Sequence, residues 1–303
     1  MSELTTRYPE NTTTCPPPQA SGPPAPSAPY YDPDAEHIQK LYAIAARYEI
    51  QDEFIKAIKM IYGWDIVLLC DDSGSMSQQS DSPPTTNAYT TFSRWDELKR
   101  IVEHIMFIGT ALDTDGVDLY FLNRRPVTNV NCLEQVNHTF STGPGGGTPL
   151  ITAFNRILYD KGYVNEKGHI PNEKKLLIII ATDGEPNDYG TNSISEFKKC
   201  LQNKPDNVYV SVVACTGDKQ TMKYLNDLDK DKSIKNFDVC DDYNNERTEV
   251  LEVQDPDFRF SFGDYVVKCI LGSSNKYFDN LDQVNVKTGK KKVTVSSCGC
   301  FGW

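Results

Sequence analysis

Two short hydroxyls and a carboxylate stand at alternate positions in the segment DDSGSM: Asp71, Ser73 and Ser75. A threonine, Thr148, follows the glycine stretch GPGGGTP, and an aspartate, Asp183, closes IIIATDG. Small oxygen donors of this kind, brought to one point, suit a hard cation, because Mg2+ takes roughly six oxygens at about 2.0–2.1 Å and usually keeps some of them as water. Mn2+ or Ca2+ can use the same oxygens. If the three hydroxyls bind directly and the two carboxylates act largely through water, the charge of the ion stays poorly cancelled and it seeks an anionic oxygen from outside. Capping offers a plainer role for single residues: Asp71 and Ser73 could cap the following turn, and Thr148 before Pro149 reads as a helix start. Capping accounts for each residue type alone but not for their joint presence.

The segments around these residues must bring them together. WDIVLLC (64–70), VDLYFLN (117–123), KLLIIIATDG (175–184), VYVSVVACTGD (208–218) and NFDVCDD (236–242) are apolar runs ending in polar residues, the pattern of strands buried on both faces of a parallel sheet. Helical periodicity separates them over 94–112, 148–163, 193–202 and 221–230. Strand and helix therefore alternate, which predicts an α/β, doubly wound, mainly parallel sheet with helices on both faces. Such a Rossmann-like fold binds ligands beyond the carboxyl ends of its strands. Asp71 and Asp183 fall at two such ends.

In these positions the chain resembles von Willebrand factor type A (vWA) domains. The DxSxS of Asp71, Ser73 and Ser75, the Thr148 of GGGTP and the Asp183 of ATDGEP match all five positions of that family's metal-ion-dependent adhesion site (MIDAS). The resemblance implies that Ser73 and Ser75 ligate directly, that Asp71 acts through water, that Thr148 does either, and that Asp183 lies outside the direct ligands or moves closer when no ligand is bound. It covers residues 62–285. The phrases YGWDIVLLCDDSGSM, RWDEL and DTDGVDLYFLN are similar to intracellular copine-like or fungal members more than to integrin domains. It further implies a magnesium-binding, metal-dependent module for protein–protein interaction that accepts an Asp or Glu of a partner and carries no catalytic residues. Some members of the family move their last helix, here 264–274, when ligand docks.

Rival chemistries lack their parts. D-S-G at Asp72–Gly74 suits an aspartic protease, but the chain has no second D-[ST]-G to provide the partner carboxylate, and its alternating helices do not suit an all-β enzyme. None of His37, His104, His138 and His169 has the H-G context of a subtilisin-like site. GPGGGTP lacks the Lys-[ST] of a phosphate-binding loop. The alternative from another class is a scaffold component whose site is filled from within a larger assembly.

Composition limits partners and place. The 303 residues carry 42 acidic and 31 basic side chains, a formal charge of −11 that disfavours nucleic acid and anionic membranes. The run Lys290–Lys292 departs from this and reads as the solvated end of a hairpin or tail. No apolar stretch approaches the roughly 18 residues of a membrane span, and the start MSELTTRYPENTTTCPPP has no signal-peptide character. The expectation is a cytoplasmic protein. Nine irregularly spaced cysteines agree, with Cys70, Cys215 and Cys269 inside apolar runs and Cys298 and Cys300 near the C-terminus. Residues 1–33 are a Pro-rich segment with the composition of a disordered tail. Residues 34–61 contain two amphipathic lead-in helices, 62–285 the domain, and 286–303 a second tail.

Overall fold

The lead-in helices end in a 3-10 turn, Lys59–Ile61, and the first strand begins at Asp65. The computed structural model describes residues 33–83, 91–112 and 115–291, so the Pro-rich segment 1–32 and the stretch containing Lys292, Cys298 and Cys300 lie outside the described residues. In chain order the elements are α1 (Pro33–Tyr48), α2 (Asp52–Ile58), β1 (Asp65–Cys70), α3 (Arg94–Leu112), β2 (Val117–Phe121), β3 (Val127–Val130), α4 (Leu133–Phe140) and α5 (Leu150–Asp160). They continue with the two-residue strands β4 (Val164–Asn165) and β5 (Gly168–His169), then β6 (Leu176–Thr182), α6 (Ser193–Asn203), β7 (Val208–Ala214), α7 (Lys219–Asp229), β8 (Phe237–Cys240), α8 (Tyr243–Val253), α9 (Phe262–Leu271) and α10 (Lys276–Asp279).

Six strands form one sheet in the order β3-β2-β1-β6-β7-β8, parallel except for the edge strand β3. Because side chains alternate across a strand, β1 sends Ile66, Leu68 and Cys70 to one face and Val67 and Leu69 to the other. Each face has its own helices. Leu150, Phe154 and Ile157 of α5, Phe197 and Leu201 of α6, and Leu225 and Leu228 of α7 fill one core. The opposite core takes residues from α1, α2, α3, α4, α8, α9 and α10. The fold is α/β and doubly wound, as the alternation predicts.

The lead-in helices are part of that second core. Leu41 and Ala45 of α1 and Phe54, Ile55 and Ile58 of α2 are buried in the same cluster as Leu98 and Ile101 of α3 and Val266 and Ile270 of α9. Residues 286–291 turn back so that Lys291 pairs with Val284. Among the described residues no helix is long and apolar enough to cross a membrane. Cys70, Cys215, Cys240 and Cys269 are free and buried.

Topology singles out one place on the rim. From β1 the chain moves outward to β2 on one side and later returns to β6 on the other, so the strand order reverses between β1 and β6. At such a reversal the connections leave in opposite directions and open a crevice at the carboxyl ends of the two strands. Asp71 and Asp183 are the residues that follow those ends.

Candidate metal centre

Asp71 ties the two central strands together. Its backbone N–H donates to the Ala181 carbonyl at 2.9 Å, extending the β1–β6 ladder by one step. Its Oδ1 accepts from the Ser73 N–H at 2.8 Å and its Oδ2 from the Thr182 hydroxyl at 2.6 Å. The residue is 1% exposed. Burial pushes its carboxyl up to about 6, the hydrogen bonds from Ser73 and Thr182 oppose that rise, and the charge of Asp183 adds to it.

Beyond Asp71 the backbone stays extended at Ser73 and then makes a short 3-10 turn, Gly74–Ser77. This geometry points the two alternate serines at each other: Ser73 Oγ lies 3.0 Å from Ser75 Oγ, and Ser75 Oγ donates to Asp183 Oδ1 at 2.7 Å. The glycine loop is stitched to the same turn, with Gly74 N–H on the Gly146 carbonyl at 3.2 Å and Gly145 N–H on the Asp72 carbonyl at 2.7 Å. Gly146 has φ +117, and a Cβ there would stand 2.5 Å from Asn123 Oδ1, so the loop needs glycine at this point.

Thr148 is set by the loop after β6. Its N–H donates to Asn187 Oδ1 at 3.1 Å and its carbonyl accepts from Asn187 N–H at 3.0 Å. Next to it, the Asp188 carboxylate accepts from Ile151 N–H at 3.1 Å and Thr152 N–H at 2.8 Å, satisfying the exposed first amides of α5. The Thr148 hydroxyl lies 3.9 Å from the place a Cβ on Gly184 would occupy, beside Asp183. Asp71, Ser73, Ser75 and Asp183 thus form one hydrogen-bonded chain, with Thr148 alongside.

The donor set fits a hard divalent ion. In an octahedron with bonds near 2.0–2.1 Å, adjacent oxygens stand about 2.9 Å apart. The Ser73–Ser75 and Ser75–Asp183 separations of 3.0 and 2.7 Å bracket that edge. Among the described residues no group of three or more His, Cys, Asp and Glu side chains could hold a metal. The rim offers neutral hydroxyls from Ser73, Ser75 and Thr148 beside the two carboxylates of Asp71 and Asp183, and one of those carboxylates is paired with Arg94.

Sequence reasoning passed over several residues that shape this rim. Arg94, at the start of α3, places Nη1 2.8 Å from Asp183 Oδ2. Asp72 turns away from the serines: its Oδ1 accepts from Asn123 N–H and Nδ2 at 2.8 and 3.0 Å, and its Oδ2 from Arg124 Nε at 2.7 Å. Arg124 in turn lies 5.2 Å from the ring centres of Trp95 and Phe121. Met76 and Trp95, near the site in sequence, are buried in the core. Compared with known families and proteins, the chain matches no family model and no curated protein sequence.

Proposed function

We propose that the chain carries a vWA-like domain whose rim between β1 and β6 holds a divalent cation, Mg2+ by preference, and uses it to bind an Asp or Glu side chain of a partner protein. The observation that carries this reading is the convergence, where the strand order reverses, of five oxygen-bearing residues: Asp71, Ser73 and Ser75 after β1 joined to Asp183 after β6 in one hydrogen-bonded chain, with Thr148 before α5 alongside. When bound, a divalent cation supplies an electrophilic point that hydroxyl donors leave largely uncancelled. Ser73, Ser75 and Thr148 would hold it. Asp71 and Asp183, each already fixed by hydrogen bonds, would orient the waters around it. A carboxylate from outside completes the oxygen set, so cation and partner bind cooperatively.

The reading is of a docking module in the cytoplasm rather than an enzyme. The four buried, free cysteines support a reducing compartment.

Calorimetric titration of Mg2+ and Mn2+ into metal-stripped protein tests the site. Saturable binding is expected in the wild type, with loss of at least about tenfold in affinity in both Asp71→Ala and Ser73→Ala, the order that removal of one ligand or its support produces. Absence of binding to the wild type defeats the proposal.

A further inference from the structure

Arg94 brings a positive charge to a carboxylate of the rim. Its backbone is anchored by reciprocal capping at the start of α3. Asp96 Oδ2 accepts from Ser93 N–H at 2.9 Å, and Ser93 Oγ accepts from Asp96 N–H at 3.1 Å. Arg94 N–H donates to the Gln78 carbonyl at 2.9 Å. From that anchor the guanidinium reaches Asp183, whose side chain is fully buried, while the arginine side chain is 13% exposed. Asp183 therefore has one oxygen engaged by Ser75 and the other by Arg94. Arg94 Nε is buried without a hydrogen-bond partner, so that among the described residues the pairing with Asp183 holds the guanidinium while one donor stays unsatisfied.

Arg94 also borders a pocket of about 470 Å³ lined by Asp81, Asp218 and Asp242. Arg94 thus both pairs with the rim carboxylate and lines a second cleft that carries acidic residues. We infer that Arg94 is a built-in counter-ion of the rim: it neutralises Asp183 when no cation is held, competes with the cation for that carboxylate, and turns toward the acidic pocket when displaced. This rests on the metal reading above. A divalent ion added to two carboxylates and a guanidinium leaves one excess positive charge, which a partner carboxylate cancels. Arg94 therefore lowers the affinity for the ion alone and sharpens the requirement for an acidic partner.

The test is Mg2+ titration into the full chain, metal-stripped, in three forms. Arg94→Gln, which keeps a donor but removes the charge, is expected to bind Mg2+ about tenfold more tightly than wild type, the scale of a unit charge acting on a divalent ion at about 5 Å in a water-like medium. Arg94→Lys restores the charge and should return affinity to within about twofold of wild type on the same grounds. Equal or weaker binding in Arg94→Gln, beside saturable binding in the wild type, overturns the inference and leaves the metal reading standing. No binding in either form defeats both. Should Arg94→Gln fail to fold, the side-chain 15N spectrum of the wild type decides: the Arg94 Nε–H signal, identified by its absence in Arg94→Lys, is expected to shift as Mg2+ saturates, and an unmoved signal overturns the inference.

Discussion

A carboxylate at a helix start does two jobs when the helix begins at a binding loop. Asp188 accepts both Ile151 N–H and Thr152 N–H, and Asn187 beside it holds both the N–H and the carbonyl of Thr148. Substituting Asp188→Ala leaves those amides to water and frees the segment carrying the Thr148 hydroxyl. The expected loss is about 1 kcal/mol in stability, as for other lost caps, read by urea denaturation, with Mg2+ binding weakened in parallel. An unchanged midpoint would mean that water replaces the cap fully. At this scale the five oxygen-bearing residues stand out in the sequence because they lie in the short segments that follow β1 and β6 or lead into α5, where short polar side chains have a reason to be. The pairing of Arg94 and the bracing by Asn187 and Asp188 do not, because they are contacts across 89, 39 and up to 37 residues of chain, and no local spacing records such a contact. Asn187 and Asp188, in the loop after β6, brace the Thr148 segment.

Among the elements, α1, α2 and α9 meet at a corner that depends on one residue without a side chain. Gly263 in the first turn of α9 faces the chain between α1 and α2: a Cβ there would stand 2.3 Å from the Tyr48 carbonyl oxygen and 2.6 Å from Ile50 Cγ1. The first of these is backbone, so relief requires α9 to move away from the corner that Asp264 also closes by accepting from Gln51 N–H at 2.8 Å. Gly263→Ala is expected to destabilise by about 1–3 kcal/mol, the usual range for overpacking. Gly143→Ala, whose Cβ would meet nothing within 4 Å, is the control and should change stability little. Equal midpoints for the two variants in thermal unfolding would show the corner to be pliable. The strands β1, β6 and β7 were legible as elements because burial on both faces makes them continuous apolar runs. β3 was not: it is a short edge strand, largely exposed, with Asn129 at φ +57 and an irregular register against β2, so neither alternation nor an apolar run marks it. The eight-residue α4 is too short for its periodicity to stand out.

Over the whole molecule the acidic excess is plain in the sequence, but which carboxylates end up buried is not, and the buried ones set the response to pH. Burial is the largest cause of a raised carboxyl at each of four positions: Glu97, Asp238 and Asp241 are pushed up to about 7 and Asp229 to about 6. Glu97 shows why. It sits on α3 with Oε2 accepting from the Ser80 hydroxyl at 2.6 Å and Oε1 buried without a partner, and the charges of Asp242 and Asp81 raise it further against the pull of Arg100. A carboxyl whose folded value lies above its unfolded one holds a proton that the unfolded chain has already released. Its contribution is complete below the unfolded value and is lost as pH rises through the folded one. His104 works the other way, since burial pushes it down to about 4, and its opposition fades as pH rises past its ordinary 6.5. Lys204, pushed down to about 8, comes to oppose as pH approaches that value. Between pH 6.5 and 8 one group opposes at each end of the interval, and the raised carboxyls outnumber them and set the sign. In chelator, the urea midpoint is expected to fall as pH rises from 6.5 to 8, and Glu97→Gln, which cannot ionise, should show a smaller fall. A midpoint that stays level or rises across that interval, or an equal fall in Glu97→Gln, would mean that Glu97 ionises in the ordinary carboxylate range and that the interior beneath the Ser80 loop is wetter than its packing indicates.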